Sequence, residues 1–206
     1  NLTDTFDPDL FKNPPSMFWP APFWTWNGPL EEPVLREQLD GMNAHGFKSV
    51  CMLPLPHAFR PDTTNNQMDP DYLTPEWFDR VRFSVNEAAA QGMTWWLYDE
   101  GGWPSGQALG KVRDGHPEFA QQRLVREPVP ATTPYTVPND ALALIAETPQ
   151  RLVVHPGETW TPQSPNDTAY LYRVSLGGYA DLLNPNATQR FLELTHDQYA
   201  NTVGEH

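Results

Sequence analysis

The sequence predicts an α/β fold in which parallel strands alternate with helices. Over the first 120 residues, short apolar runs alternate with amphipathic stretches in the order β-α-β-α-β. Each helical stretch closes on a glycine, and a strand opens one or two residues later. The third run is apolar without interruption, as strands buried on both faces of a parallel sheet are. Connections of this kind are right-handed and build parallel sheets.

The elements follow one another clearly. Phe23-Trp24-Thr25-Trp26 is an aromatic, β-prone run that ends at Asn27-Gly28. Pro33 opens a helical pattern, with Val34, Leu35, Leu39 and Met42 near 3.6-residue spacing and Gly46 as the residue after the cap. Ser49–Leu53 reads as a buried strand stopped by Pro54, and a polar loop runs from His57 to Asp71. Thr74 is the N-cap of a second helix and Pro75 its first residue, where a missing N–H costs nothing. Phe78, Val81, Val85 and Ala88 then recur on one face until Gly92. Met93–Tyr98 is the third strand.

After Glu127 the texture changes. Pro128, Pro130, Pro134, Pro138, Pro149, Pro156, Pro162 and Pro165 punctuate short β-like runs at 141–146, 151–155 and 169–175, ahead of Gly177-Gly178. This pattern predicts a small antiparallel excursion. Asn184-Pro185 repeats the cap-plus-proline signal for a helix carrying Phe191, Leu194, Gln198 and Val203, which ends near Gly204. The expected organisation is therefore 1–127 for three βα units, 128–180 for a β-rich insertion and 181–206 for a helix. A closed (β/α)8 barrel needs about 200–250 residues. Three strands and two helices already use half of this chain, so the pattern fits either an open α/β sheet or the amino-terminal part of a larger barrel.

Composition narrows the function. Of 206 residues, 39% are hydrophobic, enough to bury a core and to exclude wholesale disorder. A net charge of −13 argues against nucleic acid and anionic membrane surfaces, because phosphate contacts need clustered Lys and Arg. No apolar run approaches the roughly 18 residues of a spanning helix. The first residues lack the layout of a signal peptide, so the numbering is expected to begin after a cleaved leader or inside a longer chain. A single cysteine, Cys51, excludes an internal disulfide and a cysteine-based zinc site. Eight Trp, ten Phe and seven Tyr supply either a large aromatic core or a surface that stacks on flat pyranose faces.

In parallel α/β architectures reactive groups gather at the carboxyl ends of strands. Those positions hold Asn27, His57 and the pair Asp99-Glu100, followed by Gly101-Gly102-Trp103-Pro104-Ser105-Gly106. Adjacent strand residues point to opposite sides, so only one of the two acids faces a ligand squarely unless the glycines bend the chain. A carboxylate beside tryptophan suits a sugar, whose hydroxyls donate to the acid while its ring packs on indole. The competing roles are structural. One of the acids then caps the next helix or pairs with Lys111 or Arg113, Asn27 is a turn residue, and His57 is a solvated loop residue. Trp26 is the aromatic placed to reach a ligand; Phe18, Trp19, Phe23 and Trp24 read as packing. Asp62, Asp69 and Asp71 with Asn65 and Asn66 bring oxygen ligands into one loop, but not at EF-hand spacing. The glycines do not form a phosphate loop, and no Gly-x-Ser-x-Gly or His-Glu-x-x-His string is present.

Phe23–Gly28, the Leu35–Gly46 helix with Gln38, Tyr72-Leu73-Thr74-Pro75-Glu76-Trp77-Phe78, Trp96–Glu100 and Trp103-Pro104-Ser105-Gly106 come in an order that resembles the amino-terminal catalytic region of glycoside hydrolase family 106, the α-L-rhamnosidases. The stretch from Tyr179 through Asn184-Pro185, Phe191, Thr195-His196 and Tyr199 is similar to the same family. The resemblance implies the amino-terminal part of a (β/α)8 (TIM) barrel with a β-rich insertion after the third strand, the final helix leading to a fourth strand beyond His206. It implies carboxylate acid/base chemistry, and calcium as a possible cofactor. The expected function is that of part of a glycoside hydrolase acting on α-L-rhamnosides or related plant or bacterial polysaccharide side chains. Part of its catalytic set is expected beyond this chain. The alternative is a non-catalytic carbohydrate-binding α/β domain. Expected substrate-binding residues are Trp26, Asn27, His57, Tyr98, Asp99, Glu100 and Trp103, with Glu100 or Asp99 as catalytic candidates. The expected partners are an oligosaccharide or polysaccharide and the remainder of a longer chain, in an extracellular or periplasmic setting.

Overall fold

The computed structural model describes residues 6–15, 18–147 and 150–204, so Pro149 lies outside the described residues. The chain divides into two compact units: unit 1 is Asn1–Asp114 with Leu183–His206, and unit 2 is Gly115–Leu182.

Unit 1 contains α1 (Pro8–Lys12), β1 (Phe23–Trp26), α2 (Glu32–Ala44), β2 (Ser49–Pro54), α3 (Pro75–Ala90), β3 (Thr94–Trp96), α4 (Pro185–Leu194) and α5 (His196–Val203). The three strands are parallel in the order β1-β2-β3, with Trp26 opposite Pro54 and Cys51 opposite Trp96. On β1 the alternation is strict: Trp24 and Trp26 are buried, Phe23 and Thr25 exposed. Trp26, Tyr72, Trp77 and Tyr199 pack edge to face, with ring centroids 5.1–6.4 Å apart. Leu35, Leu39, Val50, Met52, Val81 and Ala88 close the core around them. Thr74 Oγ1 accepts the Trp77 N–H at 3.2 Å, the capping its position predicts. The deepest residue of the first turn of α3 is Trp77, fully buried, and not Phe78, which stays partly exposed.

Two expectations are corrected here. First, the described residues form no barrel. The parallel sheet has three strands, and every other strand pairs antiparallel, in separate sheets of four and two. Local βα patterns are shared by open sheets and barrels, because closure depends on strand number and stagger and not on any one unit. Second, the third strand is not buried on both faces. It forms an edge of its sheet, and Trp96 is 53% exposed. An unbroken apolar run specifies a strand but not its position in the sheet.

Unit 2 contains β4 (Ala120–Val129), β5 (Tyr135–Thr136), β6 (Ala143–Glu147), β7 (Arg151–Val154), β8 (Thr159–Trp160) and β9 (Thr168–Ala180). The larger sheet has the order β4-β9-β6-β7 and the smaller pairs β5 with β8. Val137, Leu144, Trp160 and Leu171 form its own core. β4 has no counterpart in the sequence reading. Its charged and amide side chains, from Gln121 to Glu127, hide the strand pattern, and it is defined by its long pairing with β9.

The final helical stretch breaks at Thr195, whose buried hydroxyl donates to the Phe191 carbonyl at 2.7 Å. A threonine bonding back to its own helix competes with the backbone ladder. The break starts α5 at His196.

Candidate functional site

Backbone hydrogen bonds bring the three strand exits of unit 1 side by side. Leu55 N–H donates to the Trp26 carbonyl at 2.9 Å, and Gly102 N–H donates to the Pro54 carbonyl at 2.8 Å. Gln67 N–H donates to the Asn27 carbonyl at 2.7 Å, which fixes the returning loop against the same rim. Asn27 and His57 are exposed there. Among the described residues, the His57 imidazole has no hydrogen-bond partner.

Asp99 and Glu100 take opposite roles. Glu100 is 1% exposed. Its carboxylate accepts the N–H groups of Gly101 (3.0 Å), Gln107 (2.9 Å), Ala108 (2.8 Å) and Leu109. With both oxygens occupied, Glu100 folds the 101–109 loop around itself and has none left for a ligand. Expected as a substrate-binding or catalytic carboxylate, Glu100 lies inside this loop and not on an exposed surface. Asp99 is turned outward. Its Oδ2 lies 2.8 Å from Nε2 of His196, and its side chain is 24% exposed. Tyr72 donates its hydroxyl to the Asp99 carbonyl at 3.0 Å. Burial, and then the neighbouring Tyr199, Glu100 and Asp99, push the Tyr72 hydroxyl far above its ordinary range. It therefore stays protonated, as that bond requires. Burial raises Tyr98 as well, with help from Asp99 and Glu100, so its half-buried hydroxyl remains a neutral donor.

Trp103 is 43% exposed. Its ring meets Phe59 edge to face at 4.8 Å, and the Arg60 guanidinium lies 5.0 Å from the centroids of both rings. The approach depends on Gly102. Its φ of +95° lies in the left-handed region, and a Cβ there would sit 2.2 Å from the Phe59 ring. Trp26, expected to reach a ligand, is 1% exposed and belongs to the core. Being two residues from Trp24 on one strand puts both indoles on the same buried side.

Of the expected site residues, Asn27, His57, Tyr98, Asp99 and Trp103 are exposed or half-buried, while Trp26 and Glu100 are buried. The sequence reading assigns no site role to His196, which arrives from 97 positions away, nor to Arg60. Only the preference of a buried acid for a glycine-rich run of free N–H groups marks Glu100 beforehand. The rim is shallow, with a cleft of about 110 Å³ beside Trp26–Leu30 and Gln38. A larger concavity, about 520 Å³, lies elsewhere in unit 1, where Phe78, Arg82, Lys111, Glu193 and Gln198 line it. It holds none of the expected site residues. Among the described residues no three His, Cys, Asp or Glu side chains are grouped to hold a metal ion. In the loop expected to offer oxygen ligands, the Asn66 amide N–H group donates to the Pro56 and Phe59 carbonyls. No described helix is long and apolar enough to cross a membrane.

No family model matches the sequence, and no curated protein is significantly similar to it. Among solved structures the chain is similar to a rhamnosidase from Novosphingobium sp. PP1Y, at 20% identity and a TM-score of 0.45 over 67% of this chain. It spans 15% of that protein's length.

Proposed function

We propose that this chain binds a saccharide on the strand-end rim of unit 1 and belongs to a rhamnosidase-like glycoside hydrolase, with Asp99 as its ligand-facing carboxylate. The observation that carries this reading is the divergence of two adjacent acids. Glu100 is enclosed by backbone donors, while Asp99 keeps Oδ1 without a partner among the described residues. Sugar hydroxyls donate to such an oxygen, and an exposed indole nearby in the chain matches the apolar face of a pyranose. The Tyr-Asp-Glu and Trp-Pro-Ser-Gly strings, similar to those of the rhamnosidases, favour an α-L-rhamnoside as the sugar.

Glycoside hydrolysis generally takes two carboxyl groups flanking the scissile bond. Glu100 does not supply the second, since both of its oxygens hold the loop. On this reading the chain binds without cleaving, and another carboxylate completes the catalytic set. Glu100 burial equally favours the second reading, a non-catalytic carbohydrate-binding domain.

Calorimetric titration with an aryl α-L-rhamnoside tests the proposal. The wild-type chain is expected to bind it, Asp99→Asn to weaken binding about tenfold, and neither to release the aglycone. Unchanged affinity in Asp99→Asn rejects the assignment of Asp99. Hydrolysis by this chain, lost in Asp99→Asn, rejects the incomplete catalytic set.

A further inference from the structure

We propose that Arg60 makes this rim selective for saccharides that carry a carboxylate, so that the ligand is a uronate-containing rhamnoside; the inference rests on the saccharide reading above. Arg36, Arg80, Arg82, Arg151 and Arg173 each pair with a carboxylate. Arg60, like Arg113, Arg123, Arg126 and Arg190, does not among the described residues, and it is the exposed one of these that lies over the rim tryptophan, although Asp62 is two positions away. Its guanidinium rests instead on the faces of Phe59 and Trp103. Stacking leaves the N–H fork of an arginine free in its plane, where it matches a carboxylate with two parallel bonds.

The position is built. Arg60 has a φ of +51°, a conformation that glycine or asparagine adopts more easily than arginine. Its carbonyl accepts the N–H groups of Thr63 and Thr64, both at 3.0 Å, and the Thr64 hydroxyl at 2.9 Å. Buried Asn66 donates to that hydroxyl at 2.9 Å and to the Phe59 carbonyl at 3.3 Å. These bonds fix the backbone at Arg60, and the two ring contacts place its guanidinium beside the exposed indole, which lowers the ordering cost of binding. The net charge of −13 opposes an anion little at physiological salt, since charges more than about 8 Å from it are largely screened. At contact the local cation decides.

The test titrates the chain with two α-L-rhamnosyl disaccharides, one with a uronate as its second sugar and one with the neutral hexose. The uronate is expected to bind about tenfold tighter at low salt, the margin of a charge-assisted pair of bonds. In Arg60→Met, which keeps the apolar stem on the two rings, the ratio is expected to fall to about one, with the thermal midpoint unchanged as the folding control. Equal wild-type affinities, or a preference that survives in Arg60→Met, overturn this inference and leave the saccharide reading standing. If neither disaccharide binds, both fail.

Discussion

Two acids one bond apart show how little residue type alone decides. A carboxylate facing four backbone N–H groups in a dry interior forms charge-assisted bonds of about 1.5–3 kcal/mol each. Glu100 is in that position, and its neighbour Asp99 is partly exposed with a histidine on one oxygen. Replacing Glu100 by Gln turns one acceptor into an NH2 group that faces other donors. We expect Glu100→Gln to lose about 2–4 kcal/mol of stability in urea unfolding. Asp99→Asn is expected to cost less than about 1 kcal/mol, because its one ionic partner is a half-exposed histidine. Equal losses in the two variants refute the division of roles.

At the scale of elements, the helices and strands of unit 1 were largely legible in the sequence. Thr74-Pro75 and Asn184-Pro185 cap the helices they announce, and the alternation in Phe23–Trp26 gives β1 its buried face. What escaped was non-local. β4 is a strand through its pairing with β9, and the apolar run at 93–98 does not reveal that β3 lies at an edge. The rim was legible in its loop positions, since strand ends are local features. It was illegible in its side chains: burial of Trp26 depends on Trp77, and the partner of Asp99 depends on a helix break at Thr195. Glycines were informative where they preceded an aromatic. Gly102→Ala forces a Cβ into the Phe59 ring at a positive φ. We expect it to cost about 1–3 kcal/mol and to shift Trp103 emission as the stacked loop moves. A variant as stable as wild type with unaltered emission contradicts the packing described.

For the whole molecule, the aromatic core of unit 1 sets an alkaline limit. Burial raises the hydroxyls of Tyr72 and Tyr199 well above their ordinary value. In the unfolded chain they ionise near pH 10, so folding retains two protons that unfolding releases. Stability from these groups is fully present below about pH 10 and is lost as pH rises above it, by up to about 1.4 kcal/mol per pH unit for each. Absorbance titration near 295 nm is expected to show two of the seven tyrosines silent until the fold is lost. All seven titrating together in a folded chain speaks against the buried pair.

The account turns on the rim being the place where a saccharide docks, and backbone amide mapping by NMR during titration with an α-L-rhamnoside tests that most directly. It predicts shifts at Asn27, His57, Asp99 and the Trp103 indole, saturating together. Shifts confined to the groove of Phe78, Lys111 and Gln198, or none at saturating sugar, would contradict it.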